Sequence, residues 1–283
     1  INIVVIKVYN IFFSFTQMEF NKENKEKILK AGKITSEVRN YTKTIVKKGV
    51  LLLDIAEKIE AKIIELGGKP AFPVNTSINE IAAHYTPSHE DKTLASGLIK
   101  VDFGVSVDGY TADNSISFDL ENSEENRKLI DASEGALKNA IKLIEESVNS
   151  KNGELNLSYI GKIIQDTIEK SGFSPIINLS GHSMEQYELH AGITIPNIDD
   201  KRNIKLKEGL YAIEPFATTG SGKVRDGRNS GIYNLQDTKK PRSPIAREIL
   251  GFVEKEYKTL PFCSRWIVKK FGTKALFSLR QLE

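Results

Sequence analysis

The side chains able to do chemistry in this 283-residue sequence are few enough to follow one by one. Asp102 and Asp113 stand on either side of Asp108-Gly109, between the apolar runs 98–107 and 110–118. Asp-Gly between two such runs signals a hairpin with a two-residue turn. That turn pairs Val107 with Tyr110, Gly104 with Asp113 and Asp102 with Ser115. Because strand side chains alternate between faces, Asp102 and Asp113 then project to one side as diagonal neighbours, with Gly104 leaving space between them. Two carboxylates sharing a pocket resist joint ionisation and need a proton, a cation or water. A solvent-exposed hairpin end would meet that need without any ligand.

Three further residues add to the pair. Of the four histidines, His182 and His190 lie eight residues apart, in Leu179-Ser-Gly-His182 and Glu188-Leu-His190. Glu214 sits inside the apolar run 210–217, where a charge without a partner is strongly disfavoured. Taken singly, Glu214 could be bridged to a lysine and each histidine could be a hydrogen-bonded core residue. Asp102, Asp113, His182 and Glu214 together are an oxygen-rich set with one imidazole, suited to Mn, Fe, Co or Zn rather than to a cysteine-built zinc site.

The elements that must position these groups follow from periodicity. Ile28, Ala31, Thr35, Val38 and Ile45 recur at helical spacing, as do Leu53, Ala56, Ile59, Ile63 and Leu66 before Gly67-Gly68. After this helix pair and the hairpin the order repeats: a helix from about 123 to 148, a second from about 157 to 171 closed by Gly172, and a β region at about 175–219. Two successive α-α-β units predict an α+β fold whose similar halves pack their sheets together. Residues 221–283 read as a separate, partly helical appendage, amphipathic at 247–257, with breaks at Pro241 and Pro261 and a further helical pattern over 274–283.

A content of 40% hydrophobic and 27% charged residues excludes disorder, collagen and coiled coil. Cys263 is the only cysteine, which rules out an internal disulfide and points to the cytoplasm. The net charge of +3 is unevenly spread: residues 221–283 carry 14 basic and 6 acidic side chains, a net +8, leaving −5 for residues 1–220. Residues 1–17 are apolar but lack the charged start and cleavage site of a signal peptide, and the run is short for a membrane span. They read as an upstream-translated extension ahead of a true start at Met18, the rival reading being a membrane anchor.

Ordered motifs over residues 19–283 make the family resemblance specific. Lys69-Pro-Ala-Phe-Pro-Val-Asn75, Ala82-Ala-His-Tyr-Thr-Pro87, Val101-Asp-Phe-Gly104, Gly109-Tyr-Thr-Ala-Asp113, Asn178-Leu-Ser-Gly-His182, Tyr187-Glu-Leu-His-Ala-Gly192, Ala212-Ile-Glu-Pro-Phe-Ala217 and Tyr257-Lys-Thr-Leu-Pro-Phe-Cys-Ser-Arg-Trp266 resemble the methionine aminopeptidases, type 2 in its short archaeal-like form. The resemblance implies the pita-bread fold, with a catalytic domain at 18–220 and a basic, winged-helix-like insertion subdomain at 221–283. It implies removal of the N-terminal methionine of nascent proteins by water activated at two divalent ions (Co, Mn, Fe or Zn). Asp102, Asp113, His182 and Glu214 correspond to metal ligands, Glu214 also to the proton acceptor, His84 and His190 to the substrate-contacting pair, and Phe72 to the methionine pocket. His89 falls outside every motif and reads as a loop residue.

Family members carry a further bridging glutamate in a Gln-Phe-Glu-His type strand near the C-terminus. No such segment occurs here, so four of five expected ligands are present and the sequence reads as truncated within its last helix, before the final strands. Processing of emerging chains also invites a ribosome contact through the basic region; neither DNA nor membrane is an expected partner. Two alternatives share the fold: a metal-free binding homologue, which retention of four ligands argues against, and a proline-directed peptidase, which the motifs at 82–87 and 257–266 disfavour.

Overall fold

The computed structural model describes residues 4–6, 21–150 and 154–283. α1 (Lys22–Ile45) starts at Asn21, whose side chain accepts from the Asn24 N–H, and it buries Ile28, Ala31, Ile34 and Val38. α2 (Leu52–Glu65) buries Leu52, Ile55, Ala56, Ile59 and Ile63, and also the charged Glu60. The second helix pair, α3 (Glu124–Val148) and α4 (Leu157–Lys170), is capped in the same way by Ser123 and Asn156. Both pairs fall within a few residues of the bounds that periodicity predicts.

The central sheet takes β1 (Val4–Ile6), β2 (Lys69–Pro70), β3 (Asn75–Ile78), β4 (Leu98–Val107) and β5 (Tyr110–Asp119), then β7 (Ser180–Met184), β8 (Thr194–Pro196) and β9 (Leu210–Ile213). Its order is β2-β4-β5-β1-β9-β7-β8, with β3 also paired to β4. Two ribbons stand apart, β6 (Ser174–Pro175) with β10 (Ala217–Thr218) and β11 (Ile232–Tyr233) with β12 (Phe262–Cys263). The halves join through β1, where Val4 faces both Asn114 and Ile213. The segment read as an extension therefore contributes one described strand; its other residues, and Met18, lie outside the described residues.

The β4–β5 hairpin has the predicted register throughout: Val107 opposite Tyr110, Gly104 opposite Asp113, Asp102 opposite Ser115. Asp108 and Gly109 take φ of 52° and 83°, the two left-handed residues of a type I′ turn. Asp108 is held by the Lys27 ammonium at 2.6 Å and the Tyr187 hydroxyl at 3.0 Å.

Helices cover one face of each half. Ile55, Ile59 and Ile63 of α2 belong to one core with Val101, Phe103 and Val105 of β4, and Ile160, Ile164 and Ile168 of α4 to another with Tyr211 and Ile213 of β9. Alternation then turns Asp102, Gly104, Ala212 and Glu214 to the opposite side. On that side the space expected at Gly104 is filled: the Phe72 ring lies so close that a Cβ on Gly104 would stand 2.5 Å from Phe72 Cε1.

Residues after 221 build a core of their own from α5 (Pro244–Glu256), α6 (Ser264–Phe271) and α7 (Ala275–Arg280), centred on Ile249, Val253, Phe262, Ile267 and Leu279. The helix expected over 274–283 is six residues long. Among the described residues no helix is long and apolar enough to cross a membrane.

The Gly104 contact gives a test. A Gly to Ala change often stabilises by about 0.4–1 kcal/mol through the unfolded chain. Here Gly104→Ala should instead cost about 1–3 kcal/mol in urea denaturation, because the Phe72 ring must move, and Phe72→Leu in the same chain should recover part of that loss.

Candidate metal centre

Three strands deliver the donors. β5 carries Asp113 and β7 carries His182, while Glu214 follows directly on β9. Sequence reading places Glu214 within a strand, but the ladder stops at Ile213: Pro215 has no N–H with which to continue it. His182 Nε2 lies 3.0 Å from Glu214 Oε1 and 3.6 Å from Asp113 Oδ2. One donor atom from each of the three residues lies within 4.8 Å of the other two, and all three residues are buried. Among the described residues this is the one such group of His, Cys, Asp or Glu.

Asp102 flanks the cluster. Burial holds its carboxyl well above the usual range, and the charges of Asp113 and Glu214 add to the effect, while a hydrogen bond with Asn75 opposes it. Asp113 is pushed up to about 7, first by burial and then by Glu214, with His182 pulling the other way. Burial disfavours the His182 imidazolium, yet the Glu214 hydrogen bond and the charges of Glu214 and Asp113 outweigh it and raise its pKa. Asp102 Oδ1 and Asp113 Oδ1 are buried and accept no hydrogen bond. Three carboxylates against one imidazole, with two carboxylate oxygens unpartnered, fit a divalent cation, which supplies the missing positive charge.

The other residues singled out by sequence surround this cluster. The His190 ring meets that of His182 edge to face, with centroids 4.4 Å apart. Its pKa is lowered by burial of the ring and then by the charges of His182 and His84, which keeps it neutral near pH 7. His84 is exposed, on a loop where it adopts φ 61°, a left-handed conformation uncommon outside glycine. Phe72 is buried in the same apolar cluster as Met184 and Leu189. His89 stays apart, 3.6 Å from Glu90. Asn75, opposite Asp102 in β3, is a buried neighbour that no sequence rule marked, although it closes the motif at 69–75.

This geometry agrees with the relatives of the chain. Residues 26–249 match metallopeptidase family M24. A methionine aminopeptidase of Methanocaldococcus jannaschii is 48% identical over 250 residues, 87% of this chain and 82% of its own length. One of Pyrococcus abyssi is 46% identical over 263 residues, 91% of this chain and 86% of its own length. The solved structure of a thermophilic Arx1 aligns with a TM-score of 0.72 over 91% of this chain and 81% of that one; at 18% identity this is a likeness of fold. The chain belongs to metallopeptidase family M24 and has the pita-bread fold.

The raised carboxylates fix a pH dependence. Without metal, the folded state holds protons that unfolded aspartates release near pH 3.9, so stability is present below that value and falls as pH rises toward about 7, where Asp113 ionises. Metal binding displaces those protons. In thermal melts, the stabilisation by Mn²⁺ or Co²⁺ over chelator-treated protein should therefore grow from about pH 5 to about pH 7. A gain that does not change with pH contradicts this electrostatic reading.

Proposed function

We propose that this protein is a methionine aminopeptidase acting on the N-terminal methionine of newly made polypeptides. The observation that carries the reading is the buried Asp113–His182–Glu214 group beneath His190, in a chain 48% identical to a relative of that name. Asp102, Asp113, His182 and Glu214 would hold two divalent ions, and Co, Mn, Fe or Zn suits these donors. When bound, such ions supply Lewis-acid activation of water and polarisation of the scissile carbonyl.

The chain's own groups do the rest. Glu214 accepts the proton of the attacking water and passes it to the leaving nitrogen. His190, neutral for the reasons above, hydrogen-bonds the substrate amide, and His84 approaches from the facing loop, so that the pair stabilises charge developing at the carbonyl oxygen. Phe72 lines the pocket for the methionine side chain, whose burial contributes about 1.5–3 kcal/mol. Residues 18–220 form the catalytic domain in this reading, and 221–283 the insertion subdomain, which has its own apolar core. A cytoplasmic setting follows from the substrate. The net +8 of residues 221–283 supports a ribosome contact, to be tested by salt-sensitive co-sedimentation.

The metal-loaded protein should release methionine from Met-Ala-Ser and leave Leu-Ala-Ser and dipeptides of the X-Pro type nearly untouched; preferential cleavage of the X-Pro peptides overturns the assignment. His190→Ala should reduce kcat by about 10²-fold or more with metal content intact. Loss of metal in that variant would make His190 a ligand instead.

A further inference from the structure

A charge stands in the apolar face of α2. Glu60 lies among Ile59, Ala56 and Ile63 and is only 6% exposed, a position where a carboxylate is tolerated only with excellent pairing. Arg265 of α6 pairs with it through two parallel bonds, Nη1 to Oε2 at 2.6 Å and Nη2 to Oε1 at 2.8 Å. The Trp266 indole donates to Oε2 at 2.9 Å and the Val74 N–H to Oε1 at 3.2 Å, so each carboxylate oxygen accepts twice.

The other donors of Arg265 reach the loop that carries His84. Nε donates to the Pro87 carbonyl at 3.0 Å and Nη2 to the Thr86 hydroxyl at 3.3 Å, while that hydroxyl donates to the Val74 carbonyl at 2.8 Å. Val74 is two residues beyond Phe72, and Thr86 is two beyond His84. The Thr76 N–H donates to the Tyr85 carbonyl at 2.7 Å, tying together the two strands of chain between these points. One buried knot thus ties Val74 to Thr86 and Pro87 within the segment 71–87. The same region of the chain reaches the loop of the other histidine, where the Thr259 hydroxyl donates to the Tyr187 carbonyl and Lys258 Nζ sits 3.5 Å over the Tyr187 ring.

We propose that Glu60 and Arg265 are positioning residues: their buried pair latches α6 to the segment 71–87 and so sets where Phe72 and His84 stand at the substrate face. This rests on the reading of Phe72 and His84 given above. Buried ion pairs are poor stabilisers compared with apolar residues of similar size, whereas a planar fork that divides its donors between the Glu60 carboxylate and the loop at Thr86 and Pro87 specifies geometry. Arg265→Lys keeps the charge but cannot make the fork.

The discriminating variant is Glu60→Leu with Arg265→Met, which removes both charges and keeps the volume. Its melting temperature should stay close to that of the wild type, and its metal uptake should be unchanged. Amide exchange over 71–87, read by mass spectrometry, should accelerate about tenfold or more while that of 98–119 stays as it was. KM for Met-Ala-Ser should rise about tenfold, with a smaller fall in kcat. Arg265→Lys in the wild-type background should show the same local exchange in weaker form.

A folded double variant with unchanged exchange and unchanged KM overturns the proposal. So does failure of both variants to fold, which would make the pair a support of the whole structure. If the wild type releases no methionine while exchange over 71–87 still accelerates in the variant, the latch stands and the assigned reaction falls.

Discussion

Three carboxylates gather around one imidazole where water hardly reaches, and the repulsion among the carboxylates is the constraint around which the rest is arranged. Asp102, Asp113, Glu214 and His182 cannot satisfy one another: one oxygen of each aspartate is left without a partner, and burial holds both aspartates toward their protonated forms. A fold maintains such a cluster only where rigid elements over-determine it and a cation can relieve it. That is the role of the paired strands. The hairpin register turns both aspartates to one face, β7 brings the histidine, and β9 ends one residue before the glutamate.

The helices insulate the back of this arrangement. Isoleucines of α2 and α4 pack against the opposite face of each half, while His84 and His190 stand on the side of the cluster. There, packing replaces charge. Phe72 lies on Gly104 between the two aspartates, and the segment that holds it is tied to α6 through Glu60 and Arg265. The stiff half of the centre is made of ladders, while the side that carries Phe72 and His84 is made of loops fixed by a few polar bonds.

How much of this was legible in the sequence depended on the range of the interaction. The hairpin could be read to the residue because Asp-Gly sets the turn, the turn sets the register, and alternation sets the face. Helix bounds followed from apolar spacing and from capping by Asn21, Ser123 and Asn156. Glu214 reads as part of a strand because its apolar neighbours outweigh Pro215 in the pattern, whereas the ladder ends at Ile213. The filled space at Gly104 was invisible, since nothing local says that Phe72 folds back across β4. Least legible is the latch: Glu60 and Arg265 are 205 positions apart, and no motif or periodicity links them. The set Asp102, Asp113, His182 and Glu214 is legible from hairpin register and donor type, whereas His84 and Phe72 are legible only through family motifs.

The account stands or falls on whether the buried anionic cluster retains metal. Wild-type protein saturated with Mn²⁺ or Co²⁺, freed of excess by desalting and analysed by mass spectrometry for bound metal, should keep the ion in stoichiometric amount, and Asp113→Asn, folded by circular dichroism, should lose most of it. A wild-type chain that emerges empty, or an Asp113→Asn variant that holds as much as the wild type, contradicts it.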